Sequence, residues 1–419
     1  MKVLTINTND SVGGAARAAF NLFNSLSDLD IKSKMLVTSK NSDHKSVLGP
    51  KTKIRKFLSL VGPYIDDIPK KYFSTQNENL HSSAWFSNLN ARKINKIDCD
   101  IIHLHWVQGG ALSIETIAKI NKPIVWTLHD MWPFSGAEHY SNGSSRYKDG
   151  YNKNNRPKGE SGFDINRWTW KRKLKAWNKI KNLTIVAPSN WIADCAKESV
   201  LFAGRRIEVI HVGLDHNLYR PRNKNIVREL LDFPLDKKII LIGAMNFLKD
   251  KRKGGSLLKE AFNKLAKDGY QKDSIIYILG TSAPKVEEDF GFKTYYFGTG
   301  RDDLSLALLY SAADVFVAPS VEENFSATVF ESLSCGTPVV AFNIGGMPDM
   351  IKHYNNGYLA EPFNTSDLAE GINWVLNNSD LNNLSLNARS FIEKECTLNV
   401  QANRYISLYK SILKERKIK

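Results

Sequence analysis

Cysteine is scarce in this chain. Four occur in 419 residues, Cys99, Cys195, Cys335 and Cys396, far apart and without metal-ligand spacing. That excludes a disulfide-built scaffold and predicts reduced thiols in the core of a cytoplasmic protein. Long apolar runs are also missing, since none approaches the roughly eighteen residues that cross a bilayer. The opening MKVLTINTNDS turns polar after one strand, so a secretory signal is not expected. There is no HExxH or paired-cysteine pattern, no GxSxG elbow and no Walker-type phosphate loop. Zinc-peptidase, serine-hydrolase and P-loop chemistries therefore lack their usual carriers. Acidic residues are the minority, 43 against 58 Lys and Arg, for a net charge of +15. Such a surplus favours an anionic partner: nucleotide, phosphorylated lipid or membrane surface. Helix–turn–helix, RNP and zinc-finger signatures are absent, so nucleic acid is not the expected partner.

What is present reads as two halves of one kind. Strand candidates in the first half are KVLTINT, SKMLVTS, CDIIHLHW, PIVWTLHD, LTIVAPS and IEVIHVG. In the second they are KKIILIGAM, SIIYILG, TYYFG, DVFVAPS, PVVAF and GYLA. Short, nearly continuous apolar strands alternating with helical stretches indicate parallel sheets covered on both faces. The expected fold class is α/β, with two doubly wound Rossmann-like domains facing across a cleft. Residues 1–213 form the first and 214–397 the second, joined through GLDHNLYRPRNKN with its Pro221. The basic amphipathic helix 398–419 is expected to pack back on the first domain.

The segment ENFSATVFESLSCGTPVVAF, Glu323 to Phe342, follows the buried strand ADVFVAPS. A helix through Ala327–Ser334, ended by Gly336, makes this a strand–loop–helix–strand unit. Ligands bind at such carboxyl ends of parallel strands. The first helix amides, around Phe325 to Thr328, favour negative charge. Glu323 on the loop and Glu331 off the apolar helix face are placed to accept sugar hydroxyls, although each alone reads as a solvated glutamate. Arg252 and Lys253, directly before Gly254 and Gly255, suit a diphosphate at a helix start. Gly13 and Gly14 allow close backbone approach in the first half, without GxGxxG spacing. His129 and Asp130 end the strand of WTLHDMW. In HLHW, alternation puts His103 and His105 on one side, before Trp106.

Together GGAARA, DIIHLHW, PIVWTLHD, APSNWIA, GAMNFLKDKRKGG and ENFSATVFESLSCGTPVVAFNIGGMPDMI resemble the GT4 family of retaining glycosyltransferases, over nearly the whole chain. These are GT-B enzymes that build bacterial capsule, O-antigen (lipopolysaccharide) and exopolysaccharide. The resemblance implies a first domain for the acceptor and a second for a UDP- or GDP-linked donor sugar. By motif position Glu323 would hold donor-sugar hydroxyls and Glu331 the ribose diol. Lys253, assisted by Arg252, would hold the diphosphate with the amides of Gly13 and Gly14. Asn324, Phe325 and Ser326 would add loop amides, and His129 would lie beside the transferred sugar. His105, Trp106 and Asp130 are acceptor-side candidates. No cofactor and no metal are expected, and the acceptor would be a saccharide or a polyprenyl-diphosphate-linked one. The chain departs from the family at Gly243-Ala244, where Gly-Arg is common, and at Asn324-Phe325-Ser326, where Gly-Phe-Gly is. The loop after WTLHDMWPFSG lacks the cysteines of related sequences. The GTSAP loop, 280–284, is a candidate base contact. A nucleotide-sugar epimerase and a non-catalytic sugar-binding protein remain alternatives.

Two stretches are basic and apolar together: KTKIRKFLSLVGPYIDDIPKKYF and RWTWKRKLKAWNKIKN, the latter with Trp170, Leu174 and Trp177 at helical spacing. Both predict peripheral attachment to an anionic leaflet on the inner face of the plasma membrane.

Overall fold

A computed structural model describes residues 1–243, 250–283, 289–298 and 302–418. Ala244 and Pro284, in two of the sequence landmarks above, lie outside them. The chain divides into two compact units, one of residues 1–213 with 401–419 and one of residues 214–400.

The first unit is built on a seven-stranded parallel sheet among the described residues. Its order is Val47–Leu48, Lys32–Leu36, Lys2–Ile6, Ile101–Leu104, Ile124–Thr127, Leu183–Ala187, Arg206–Val209. The inner strands IIHL, IVWT and LTIVA are buried at every position, which is why they read as unbroken apolar runs rather than alternating ones. On one face Trp126, Trp132 and Trp177 join Leu4, Ile102 and Ile185 in a single core. The other face is covered by Leu22 and Leu26, with Ala402, Tyr405, Tyr409 and Ile412 from the helix Leu398–Ile418. Tyr405 and Tyr409 also reach into the sheet: one hydroxyl meets Thr127 Oγ1 and the other His103 Nδ1, both at 2.7 Å.

The second unit carries a six-stranded parallel sheet among the described residues. Its order is Lys293–Tyr296, Ser274–Leu279, Lys238–Gly243, Val315–Ala318, Val339–Phe342, Gly357–Ala360. Helix Gly255–Lys267 buries Leu258, Ala261, Phe262 and Leu265, a stripe at three- and four-residue spacing that faces this sheet. Each such large side chain contributes about 1.5–3 kcal/mol through burial. In both units the strand opening the unit has its next strand in sequence on one side and a later one on the other. The chain therefore changes direction at the ends of Lys2–Ile6 and Lys238–Gly243, the positions where open α/β sheets bind ligands.

The structure separates the two basic–apolar stretches. In helix Ile165–Trp177, Trp170 and Trp177 are buried and Leu174 packs against the core, while Lys173 is fully enclosed. The Lys173 ammonium donates to the carbonyls of Trp132, Ser135 and Gly136, which pins the turn after the strand Ile124–Thr127. That stripe is therefore unavailable to a membrane, a correction to the sequence expectation. Its apolar side chains fill their own unit's core. Helix Lys53–Asp66 behaves differently: Ile54, Phe57, Leu60 and Tyr64 are 63–78% exposed.

Tyr409→Phe should test the docking of the last helix. Loss of the hydroxyl leaves the buried His103 ring without that partner, at a cost of about 1–3 kcal/mol. Denaturant unfolding should register this as a lower midpoint with unchanged slope.

Candidate functional site

At the switch point of the second unit, the loop after Val315–Ala318 and the turn Lys251–Lys253 are joined backbone to backbone. Val321 N donates to the Arg252 carbonyl at 2.9 Å. Gly254 follows in the left-handed region (φ +73°), and a Cβ there would lie 1.8 Å from the Pro319 carbonyl oxygen. Gly345, also left-handed, approaches the Glu323 carbonyl in the same manner: its Cβ would come within 2.0 Å. Only glycine satisfies both the dihedral and the space at these positions.

This framework delivers charges to one point. Lys253 Nζ lies 2.6 Å from Glu323 Oε2, and Arg252 Nη1 lies 3.4 Å from the same oxygen. Asp250 aligns Arg252 by accepting from its backbone N–H at 3.0 Å and its guanidinium at 3.2 Å. Glu323 Oε1 accepts from Asn324 N at 3.1 Å. Burial alone would push the Glu323 carboxyl up, but Lys253, Arg252 and these hydrogen bonds hold it below the usual carboxylate range. Helix Ala327–Ser334 starts beside it, and the Ser326 hydroxyl at its N-cap lies 3.2 Å from Thr328 Oγ1 and accepts from no first-turn amide. Its leading amides, a source of partial positive charge, border a hollow of about 10 Å³ lined by Gly243, Lys253, Ser320, Ser326 and Thr328. Glu331 sits on the same helix, buried, and accepts from the Tyr310 hydroxyl at 3.0 Å. Burial and the neighbouring Glu331 raise the Tyr310 phenol, so it stays protonated as the donor.

In the first unit, Gly13 (φ +90°) caps helix Gly14–Asp28, and a Cβ at either Gly13 or Gly14 would meet nothing within 4 Å. The loop ahead is shaped by Asn9, whose side-chain oxygen accepts from Ser11 N and Val12 N at 3.1 and 2.7 Å. At the ends of the strands Ile101–Leu104 and Ile124–Thr127, His105 Nδ1 lies 3.0 Å from His129 Nε2 and the rings stack at 5.2 Å. Burial lowers His129 to about 4 and His103 to about 3, and pushes His105 well down, so all three are neutral at neutral pH. Asp130 accepts from Trp106 Nε1 at 3.2 Å and pairs with His139 Nδ1 at 2.6 Å. Burial opposes ionisation of Asp130, and His139 overcomes it, holding the carboxyl below its ordinary value.

Apart from Gly13 and Gly14 at the start of helix Gly14–Asp28, most of the sequence-predicted residues fall into two groups. Arg252, Lys253, Glu323, Asn324 and Ser326 converge, with Glu331 on the adjoining helix. His105, Trp106, His129 and Asp130 form a second cluster, in the other unit. Tyr310, Gly345 and His139 escaped sequence reasoning because each acts through a partner outside its own motif, and Asp250 because nothing local shows that its carboxylate turns back onto Arg252. Among the described residues, no group of three or more His, Cys, Asp or Glu is arranged to hold a metal ion.

Residues 12–218 match the model for Glycosyltransferase Family 4, and residues 236–378 that for Glycosyl transferases group 1. The chain is of the family 4 glycosyltransferase type. A curated relative, the D-inositol 3-phosphate glycosyltransferase of Mycobacteroides abscessus, is 28% identical over 182 residues, 41% of this chain and 39% of that protein. The match therefore spans about two fifths of the relative's length. Sucrose-phosphate synthase from Thermosynechococcus elongatus aligns over 99% of both chains with a TM-score of 0.67 at 18% identity. Anabaena HepE in complex with UDP and glucose aligns over 98% of this chain and all of its own, with a TM-score of 0.64 at 17% identity. The fold is GT-B.

Two expectations follow. In a proton NMR titration, His129 should change ionisation near pH 4 rather than 6.5. Between those values the unfolded chain binds a proton that the folded one does not, so stability should fall as pH drops through that window. Gly254→Ala should destabilise the second unit by roughly 1–3 kcal/mol, through a forced left-handed alanine and the clash with Pro319, measurable as a lower melting temperature.

Proposed function

We propose that this protein transfers a sugar from a nucleotide diphosphate to a hydroxyl of a saccharide or lipid-linked saccharide, with retention at the anomeric carbon, in surface polysaccharide synthesis. The observation that carries this is the convergence of Lys253 and Arg252 on the Glu323 carboxylate at an uncapped helix start. Two cations and a set of oriented amides suit the charge that develops as a diphosphate leaves. Without ligand, Glu323 neutralises Lys253. With donor bound, the ammonium would turn to the diphosphate and the carboxylate would accept sugar hydroxyls. Glu331, aligned by Tyr310, would take the ribose diol, and the open backbone at Gly13 and Gly14 would admit phosphate oxygens. HepE was crystallised with UDP, which favours uracil as the base.

In front-face transfer the acceptor oxygen bonds to the anomeric carbon as the bond from that carbon to the diphosphate oxygen breaks. The acceptor proton passes to a phosphate oxygen, and the nucleoside diphosphate departs. No protein nucleophile is needed, and the neutral His129 can donate or accept a hydrogen bond beside the sugar without adding charge. Because Lys253 and Arg252 supply the neutralising charge, activity should survive EDTA. Product NMR showing inversion, or activity restored only by a divalent cation, would contradict this account. Glu323→Ala should mainly depress turnover, and Glu331→Ala should weaken nucleotide affinity by about 1–3 kcal/mol. Gly14→Ala should leave the melting temperature unchanged yet raise the donor KM, since the added methyl meets only ligand.

Attachment to the cytoplasmic face of a membrane is part of this proposal, through residues 51–72. Ile54, Phe57, Leu60 and Tyr64 recur along one side of helix Lys53–Asp66, and Tyr72 is also 69% exposed. Lys51, Lys53, Lys56, Lys70 and Lys71 accompany them, each worth about 1 kcal/mol against an anionic leaflet. Among the described residues no helix is long and apolar enough to cross a membrane. Vesicles containing phosphatidylglycerol should sediment the protein at low salt, and Phe57→Ser with Leu60→Ser should abolish this. Negligible binding to such vesicles, or concentration-dependent self-association removed by the same substitutions, would overturn the attachment.

A further inference from the structure

Two connections of the first unit enclose a polar cavity. The stretch 75–82 runs beside 137–166, joined by Ser82 N donating to the Ala137 carbonyl at 2.8 Å and His139 N to the Leu80 carbonyl at 2.9 Å. Between them lies about 130 Å³ of space lined by Gln76, Asn77, Glu138, Arg146, Glu160 and Asn166, among other small polar residues. Arg146 is already committed. Its guanidinium meets Glu160 at 3.4 Å, Asp164 at 3.1 Å and Asn155 at 3.3 Å. Asn166 is likewise engaged, donating to Glu160 Oε1 at 3.2 Å and accepting from Ala137 N at 3.1 Å.

Glu138 is the exception. It is 3% exposed, and the Tyr151 hydroxyl donates to its Oε1, yet its buried Oε2 has no hydrogen-bond partner. A buried acceptor left without a hydrogen bond is costly, so a partner there would be strongly favoured. The missing partner must bring a hydrogen to a sugar-sized space whose lining mixes carboxylates and carboxamides with apolar surface. Among the described residues no metal-ligating group of three includes this carboxylate. The cavity is linked to the acceptor-side cluster through the chain itself. Glu138 is followed by His139, whose ring pairs with Asp130 at 2.6 Å and with Ser82 Oγ at 2.9 Å.

We propose that this cavity binds a sugar residue of the acceptor, with a hydroxyl of that sugar donating to Glu138 Oε2. The inference rests on the chain being a sugar transferase, and it makes the acceptor a saccharide of at least one recognised ring. Ring hydroxyls both donate and accept, which suits a lining of carboxylates and carboxamides better than a purely anionic or apolar group would.

Saturation-transfer NMR with methyl glycosides of glucose, galactose, mannose and rhamnose tests it directly, with UDP binding followed in parallel. At least one glycoside should receive saturation from the wild-type protein. Glu138→Gln, which keeps the volume but replaces the free acceptor, should lose that signal while retaining UDP binding. Gln76→Trp, placed on the exposed rim, should also lose it by filling the cavity, and it serves if Glu138→Gln does not fold. No signal from any of the four glycosides, or a signal that survives these substitutions, overturns the proposal. Failure of UDP to bind would instead count against the transferase function.

Discussion

Glu323 is a carboxylate that is 8% exposed and ionised, and this requires two cations to be delivered to it. Most of the local architecture of the second unit serves that delivery. The turn Lys251–Lys253 carries both cations, Asp250 fixes its orientation, and Gly254 lets the turn lie against the loop after Val315–Ala318. Gly345 presses on the same loop from the other side. A buried ion pair of this kind adds little net stability, because desolvation offsets most of its Coulomb gain. Its retention makes sense as a site held ready, with cation and acceptor each available to a ligand that brings phosphate and hydroxyls together.

The first unit handles its polar groups in the opposite way. His103, His105 and His129 are kept uncharged by burial, and Tyr405 and Tyr409 from the last helix complete the network around His103. Asp130 is the ionised member, held by His139 and aligning Trp106. Neutral imidazoles add no charge of their own to that end of the sheet. The same chain segment then continues into Glu138, where a polar group is left unmatched.

Local signals carried much of this into the sequence. The inner apolar runs became fully buried strands while those toward the sheet edges stayed partly exposed, and the helix ended by Gly336 occupies Ala327–Ser334, with Gly336 at φ +76°. The convergence of Arg252 and Lys253 with Glu323 was legible because both motifs sit at strand ends, which a doubly wound sheet brings to one edge. Other features were not legible. Trp170, Leu174 and Trp177 have the spacing of a surface stripe, and only tertiary packing reveals that they fill a core. Ile54, Phe57 and Leu60 have similar spacing and stay exposed. Tyr310 and Glu138 look ordinary in sequence, since their roles depend on Glu331 and on a cavity walled by a segment some sixty residues earlier. Periodicity states which face is apolar, and it does not state what covers that face.

The central claim is that Lys253 is released from Glu323 to hold a diphosphate. Calorimetric titration of UDP and GDP into the wild-type protein and into folded Lys253→Ala tests it most directly. The account predicts that one nucleotide binds the wild type and binds the variant roughly tenfold or more weaker, a loss of about 1.4 kcal/mol or greater. Equal affinity in the two proteins, or binding of neither nucleotide to the wild type, would contradict it.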